Sequence, residues 1–464
     1  MMRSMFSSVS GLRAHQTKMD VIGNNIANVN TVGFKASRVT FAEIFAQTVS
    51  GAGAPDPYTG RGGTNPMQIG LGMNVHSIDT LMTRGSLQRT DNPTDLAIEG
   101  EGFFIVRNGN SGTYMFTRAG NFTLDKAGNL VTAQGLNVMG WHNYDIDEEG
   151  NISFRTDEEL EPLNIYQDAY KNKRILAAKS TDRAILAGNL DATCVPVNDS
   201  VLSYPDASDL EDVNPHFKVP LTVYDDLGNE YKLEISFWKN AVGKVNIDGV
   251  EKTVTTWYYT VTAADSDTKL NDGAHGLLMF DSTGKIVTNY TGTGDVNFSV
   301  RPTIEVTPGE NVGADMFDFE LNFEKLTMYA TENSVKPTQV DGYPPGELEY
   351  FSIGTDGIIT GIYSNGRQQP LGMIALAIFD NPAGLQKAGN NLFLPTTNSG
   401  DFTRAYKPGT EGAGSLNPGT LEMSNVDLAQ QFTEMIITQR GFQANSRVIT
   451  ASDELLQELA NMKR

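Results

Sequence analysis

Apolar residues recur along this chain with two periods. At the two ends they return every three or four positions; between the ends they alternate. Residues 1–35 carry Met5, Val9, Leu12, Gln16, Met19, Gly23 and Ile26 on one seam, with Ile22 beside it. Residues 424–464 carry Leu428, Phe432, Met435, Gln439, Phe442, Ser446, Ile449, Asp453, Leu456 and Ala460. Steps of four and three in turn are heptad spacing, which predicts two long helices that pack along their length. Ser424-Asn-Val-Asp427 has the spacing of a capping box, so the second helix is expected to start at Asn425. Run to Arg464, it would be about 60 Å long at 1.5 Å per residue. It bears a second apolar row, Ile436, Val448, Leu455, Leu459 and Met462. One partner helix cannot cover both rows, so the pattern implies several neighbours and an oligomer. Asn24, Asn25, Asn28 and Asn30 crowd the end of the first helix and Gly33 stops it. Val39 to Thr48 reads as a further amphipathic stretch at helical or near-helical spacing, through Phe41, Ile44 and Phe45. Residues 50–66 are a long flexible loop by composition.

From about residue 68 the period falls to two. Phe103 to Val106 reads as a buried strand, and Tyr114, Phe116, Phe122 and Leu124 continue the alternation. A turn signal repeats at Asp125–Leu130, Asp147–Ile152 and Asp281–Ile286, with a variant at Asp225–Asn229. In each, Asp can bond its own backbone and Gly can take a positive φ. Around the variant, Phe217, Val219, Leu221 and Val223 alternate before the turn, and Tyr231, Leu233, Ile235 and Phe237 after it. Residues 166–190 shift to Lys, Arg and Ala and read as a connection between two β domains. The expected fold is mainly β, with nested discontinuous β domains of sandwich or barrel type inserted between terminal helices that form a coiled-coil-like core. The expected division is 1–35 with 424–464 as the helical core and 36–75 as a linker. A first β domain takes 76–165 with 341–423, and an outer β region of one or two domains takes 166–340.

Composition narrows the function. The net charge of −21 is uneven. Residues 1–75 hold six Lys/Arg against three Asp/Glu, and residues 416–464 hold four against six, so the middle carries −22. An acidic body repels nucleic acid. No apolar run reaches the length of a membrane span, so no membrane insertion is expected. Ser4, Ser7, Ser8, Ser10 and Gly11 interrupt any apolar region behind Arg3, so no usual secretory signal peptide is read there. Chemistry is equally sparse. Five scattered histidines form no metal-ligand pair, and no P-loop, Gly-x-Ser-x-Gly or His-Glu-x-x-His occurs. Asp145–Ile152 loosely resembles a calcium loop, but position twelve is Thr156 and a plain hairpin turn is expected instead. The single cysteine, Cys194, reads as a small half-buried residue or, alternatively, as a reactive thiol. No catalytic site, cofactor or metal is expected.

Five stretches resemble the bacterial flagellar rod and hook family. Asp20 to Lys35, with Asn25, Ala27, Asn28, Thr31, Gly33, Phe34 and Lys35, is similar to its N-terminal signature. Leu421–Leu428 and Thr438–Arg447, with Gln439 and Arg440, are similar to its C-terminal signature. Ala97–Phe104 and Phe116–Leu124 resemble its first β domain. The large insertion from about 166 to 340 resembles the hook subunits of that family more than its shorter rod subunits. The resemblance implies a structural, non-enzymatic subunit that stacks helically with copies of itself into a curved, hollow, flexible tube. It also implies the distal rod protein, a hook cap protein and a hook–filament junction protein as partners. Export would use the flagellar type III apparatus without a cleaved signal peptide, to an extracellular place in the hook and basal body. Loop 50–66 would bridge neighbouring subunits. Hook proteins of spirochaetes are joined covalently between a Lys and a Cys-derived dehydroalanine, and Lys179 and Cys194 lie in a similar region. A straight distal rod subunit is the alternative within the class. A secreted β-sandwich adhesin or carbohydrate-active protein is the alternative outside it.

Overall fold

The computed structural model describes the chain apart from residues 1, 56–59, 61, 110–111, 147–151, 167–171, 206–213, 248–249, 266, 272–273, 289, 291–296, 310–311 and 463–464. The two terminal seams are helices: α1, Met2–Ala27, and α2, Leu428–Met462. At 1.5 Å per residue the 35 residues of α2 span about 52 Å. The start of α2 departs from the capping-box expectation. Its cap is Asp427, whose Oδ1 accepts from Ala429 N at 2.8 Å and Gln430 N at 3.2 Å. Ser424 instead closes a small turn by accepting from Val426 N. Asn425 is held instead by hydrogen bonds to Ala36, Leu81 and Thr83, described below.

The regular structure described between the helices is almost entirely strand, and the strands form open sheets. The chain divides into two compact units. One comprises 1–173, 350–361 and 368–464; the other comprises 174–349 and 362–367.

In the first unit the stretch Val39–Thr48 is not helical. Ser37–Glu43 pairs antiparallel with Met73–Thr80, and Ala46–Ser50 pairs with Met67–Gly70. Short apolar periodicity cannot separate helix from strand by itself, and cross-strand pairing decided this one. Further on, the two halves of the chain are zipped together. Leu87–Arg89 pairs with Thr420–Glu422, and Leu96–Glu99 with Ser415–Pro418. A larger sheet holds Phe103–Arg107, Tyr114–Thr117, Asn137–Trp141, Gln368–Ile374 and Leu392–Leu394. Phe103, Phe116, Trp141, Phe379 and Phe393 belong to its core, and the four phenylalanines make ring contacts at 4.8–6.0 Å.

The second unit is a sandwich. A four-stranded antiparallel sheet, Phe217–Tyr224, Glu230–Ile247, Val250–Ala263 and His275–Asp281, shares one core with a five-stranded sheet. The hairpin register is the one the alternation predicts, with Val219 opposite Ile235 and Leu221 opposite Leu233. Arg183–Asp191 lies inside the second sheet, parallel to Phe317–Tyr329. Ala184, Leu186 and Leu190 are buried there, so this part of 166–190 is core strand where the composition read as a connection. Three of the four repeated turns are described. Asp125, Asp225 and Asp281 each accept from the backbone N four residues on, at 2.7–3.0 Å. Gly128, Gly228 and Gly284 take positive φ, as that turn requires. Residues 147–151 of the fourth turn, and the calcium-like loop with them, lie outside the described residues. The strands on either side, Tyr144–Ile146 and Ile152–Phe154, pair as a hairpin.

Candidate assembly interface

The two terminal helices run antiparallel, and small residues set their spacing. Gly11 lies against Asn445, His15 against Gly441, and Asn25 against Gln431. A Cβ on Gly11 would sit 2.8 Å from Asn445 Nδ2, and one on Gly441 would sit 2.8 Å from His15 Nε2. The buried positions of α1 are Ser8, Gly11, Ala14, Ile22 and Asn25. On α2, Thr438 and Ser452 are buried. Their hydroxyls donate to carbonyls one turn back, at 2.7 Å each, so burial leaves them satisfied. Lys18 Nζ meets Glu434 Oε2 at 3.2 Å across the pair. Burial, with Lys18 nearby, holds the His15 imidazole below its ordinary pKa.

This seam is not the apolar one read from the sequence. Of the expected core residues only Ile22 is buried. Met5, Val9, Leu12, Met19, Ile26, Met435, Phe442 and Ile449 are half-buried, and Leu428, Phe432 and Leu456 are exposed. The second row is more open still, with Ile436 at 59 %, Leu455 at 50 % and Met462 at 77 % exposure. Phe6 and Ile437 add to it at 61 % and 64 %. The chain thus closes its own helix pair with glycine, serine, alanine and threonine, and leaves its large apolar side chains outside.

The signature after α1 ties this pair to the sheets. Asn25 Nδ2 donates to Ser37 O at 2.8 Å and Gln431 Oε1 at 3.1 Å, while its Oδ1 accepts from Ser37 N. Thr31 Oγ1 donates to Asn28 Oδ1, and Asn28 Nδ2 donates back to Asn24 O, which also accepts from Asn28 N at the end of the helix. Gly33 has φ +68° and sits so close to Ala119 that a Cβ would come within 2.7 Å of its backbone N. Lys387 Nζ lies 5.3 Å from the centroid of the buried Phe34 ring. Ala27, Gln439 and Arg440 are exposed.

Lys35 is the centre of a buried charge node. Its Nζ lies 2.6 Å from Glu422 Oε1, and Arg118 Nη1 lies 3.3 Å from Glu422 Oε2. Lys35 also donates to Thr83 O, Arg118 to Gly100 O, and Gly85 N to Glu422 Oε1. Burial pushes the Glu422 carboxyl upward, but Lys35 and then Arg118 outweigh it and hold it below the usual carboxylate range. Burial draws Lys35 and Arg118 below their usual values, and Glu422 returns part of that loss. Asn425 completes the clasp, accepting from Ala36 N and donating to Leu81 O and to Thr83 Oγ1. Sequence reading singled out Lys35 but neither Glu422 nor Arg118. Both stood inside quoted motifs, yet nothing local marks them as partners.

The ribbon Ala46–Ser50/Met67–Gly70 is exposed along most of its length, with Val49, Met67 and Ile69 at 49–59 %. A lone two-stranded ribbon is marginal in water without cover. In the second unit, Lys179 Nζ is held by Asp182 at 3.0 Å and Asp341 at 3.2 Å, and these partners raise its pKa. Cys194 is half-buried, and burial with Asp191 nearby pushes its thiol up.

Comparison with known proteins gives the family. Residues 5–35 match the family model "Flagella basal body rod protein", and residues 97–169 match "Flagellar hook protein FlgE/F/G D1 domain". Residues 189–343 match "Flagellar basal body protein FlaE D2 domain", and residues 417–462 match "Flagellar basal body rod FlgEFG protein C-terminal". The flagellar hook protein FlgE of Borreliella burgdorferi is 40% identical, and that of Treponema pallidum 38%, each over 100% of both chains. The flagellar basal-body rod protein FlgG of Bacillus subtilis is 29% identical, also over 100% of both. The exposed helix rows, the clasp that carries the terminal signatures and the two β units are those of a subunit whose relatives build the flagellum, and the chain belongs to the flagellar hook protein family.

Proposed function

We propose that this chain polymerises, through the exposed apolar rows of α1 and α2, into a curved and flexible hook that carries torque from rod to filament. The family is structural, and its members are polymeric components of the flagellum. The observation that carries the reading is the division of labour on the helices. Small residues close the pair within one chain, while Phe6, Phe432, Ile436, Ile437 and Leu455 stay outside. The helices with 1–35 and 424–464 are then the innermost layer, and the β units lie outward. The acidic surface of the β units suits weak, replaceable contacts, which bending needs. The family resemblance supplies the partners: the distal rod protein at the base, the cap protein at the growing tip, the hook–filament junction protein, and the type III export apparatus. Ile436→Asp in the full chain tests the reading. It is expected to leave the monomer folded and to abolish tube formation, whereas tubes of normal length would refute it.

A straight rod subunit is the second reading, and the Bacillus rod protein favours it by matching over the full length. Length therefore does not separate hook from rod. Electron micrographs do: curved tubes support the hook, and uniformly straight ones support the rod.

We also infer a covalent link between copies, formed by Lys179 and Cys194. Its support is the spirochaetal origin of the two hook relatives, from Borreliella burgdorferi and Treponema pallidum. Cys194 would lose its α-hydrogen and its thiol together as hydrogen sulfide to give dehydroalanine, and the Lys179 amine would add across the double bond. In the isolated subunit Asp182 and Asp341 raise the Lys179 pKa, and burial pushes the Cys194 thiol up. Mass spectrometry of assembled material is expected to find the Lys179–Cys194 adduct, and hooks that fall wholly to monomers in denaturant would exclude it.

A further inference from the structure

The sandwich of the second unit breaks its own alternation at one position. Tyr231, Leu233, Ile235 and Phe237 lie in its core, and the next position of that period is Lys239. Lys239 is only 7 % exposed. An irregularity in the pairing follows it, between Lys239 and Ala241. Among the described residues its ammonium makes no ion pair with a carboxylate. It donates instead to two backbone carbonyls, Ala192 O at 2.6 Å and Cys194 O at 2.9 Å. Asp191 lies near enough to be affected by the charge, but its oxygens accept from Thr193. Burying an ammonium without a counter-ion is costly. An apolar side chain would continue the pattern of the strand, and breaks of this kind collect at functional sites.

The two acceptors differ in what a cation can do to them. A cation on a backbone carbonyl stabilises the enolate that forms when the same residue loses its α-hydrogen. Ala192 has nothing on its β-carbon that can leave. Cys194, the single cysteine of the chain, has a thiol there. A thiol departs as hydrosulfide, whereas a thiolate would have to depart as a dianion. Burial, which pushes the Cys194 thiol up, favours the first. We propose that Lys239 is the catalytic residue of a β-elimination at Cys194, its ammonium holding the enolate oxygen. The proposal rests on the covalent link argued above and supplies its first step. Solvent hydroxide takes the α-proton and becomes water, and the electron pair moves onto Cys194 O. The pair returns to form the Cα–Cβ double bond as the Cβ–Sγ bond breaks. Hydrosulfide leaves and recovers a proton from water, while Lys239 keeps its protons throughout. The product is dehydroalanine at position 194, ready for the Lys179 amine.

The full chain carrying Lys179→Ala separates elimination from linking, because the amine that would consume the double bond is gone. Polymerised and incubated at mildly alkaline pH with 2-mercaptoethanol as the trap, it is expected to release sulfide and to carry the trap at position 194 by mass spectrometry. Adding Lys239→Met is expected to slow both at least about tenfold, the order of one lost charged hydrogen bond to the developing enolate. Should Lys239→Met fail to fold, Lys239→Gln, which keeps an N–H donor without the charge, decides in the same way. Elimination at an unchanged rate in these variants overturns the role of Lys239 and leaves the link standing. Elimination without any Lys179 adduct in unaltered hooks removes the link and leaves the role of Lys239 standing. No elimination in any chain removes both. A rescue excludes a merely structural role. Where unaltered hooks carry the adduct, Lys239→Met whose Cys194 has been converted chemically to dehydroalanine should form it at the ordinary rate, and failure to do so overturns the proposal.

Discussion

Glu422 holds its charge between two cations in a place that water does not reach. Removing it leaves Lys35 and Arg118 buried without a counter-ion, so Glu422→Gln is expected to destabilise the first unit by about 3 kcal/mol or more, read by denaturant unfolding. The pH dependence follows from the same node. The folded carboxyl titrates below its ordinary value of 4.5, so its stabilising effect is complete above that value and is lost as pH falls through the folded one. Acid unfolding of the unaltered chain should carry this step, and Glu422→Gln should lack it. Gly33 makes a second residue-scale test. Its φ of +68° and its closeness to Ala119 leave no room for a Cβ, so Gly33→Ala should cost about 1–3 kcal/mol, measured by thermal melting. Little of the node was legible beforehand. Lys35 and Glu422 stand 387 residues apart, and pairing at that distance leaves no local pattern. Asn25 and Gly33 were legible as a signature, but their tasks, bonding Ser37 and admitting Ala119, needed the fold.

At the scale of elements, long periodic segments were read well and short ones were not. The seams of α1 and α2 specify helices because the same period persists for many turns. Val39–Thr48 has too few residues for period alone to choose, and its pairing with 67–80 makes it strand. Ser424 offered good capping chemistry, but Asn425 is drawn to Ala36, Leu81 and Thr83, and the helix waits for Asp427. The seams also conceal which face turns inward. Apolar periodicity marks Phe432 and Leu456, yet the contact within the chain runs through Gly11, Gly441 and Thr438, because small residues let two helices approach. Phe432→Ala therefore belongs to assembly and not to folding. It should change the monomer's unfolding free energy by no more than about 0.5 kcal/mol, while raising the concentration needed for polymerisation. A turbidity titration beside a denaturant curve reads both.

For the whole molecule, the two β units carry their own cores, whereas the helix pair is thinly covered. Packing supplies most of the stability of a helix, so the pair should be the least protected part of the free subunit. Amide exchange is expected to be fast along α2 in the monomer and to slow strongly on assembly, with the core strands of the second unit protected in both states. Mainly-β architecture between terminal helices was legible because turn signals recur without helical periods between them. The parallel strand Arg183–Asp191 was not, since its partner lies beyond the whole four-stranded sheet. Assembly with the apolar rows of α1 and α2 facing neighbouring copies is tested most directly by a reconstruction of tubes polymerised from the full chain. The expected tube has α1 and α2 innermost, with Phe432, Ile436 and Leu455 buried against adjacent subunits. Tubes in which these side chains remain in solvent, or in which the β units alone make the contacts, would contradict it.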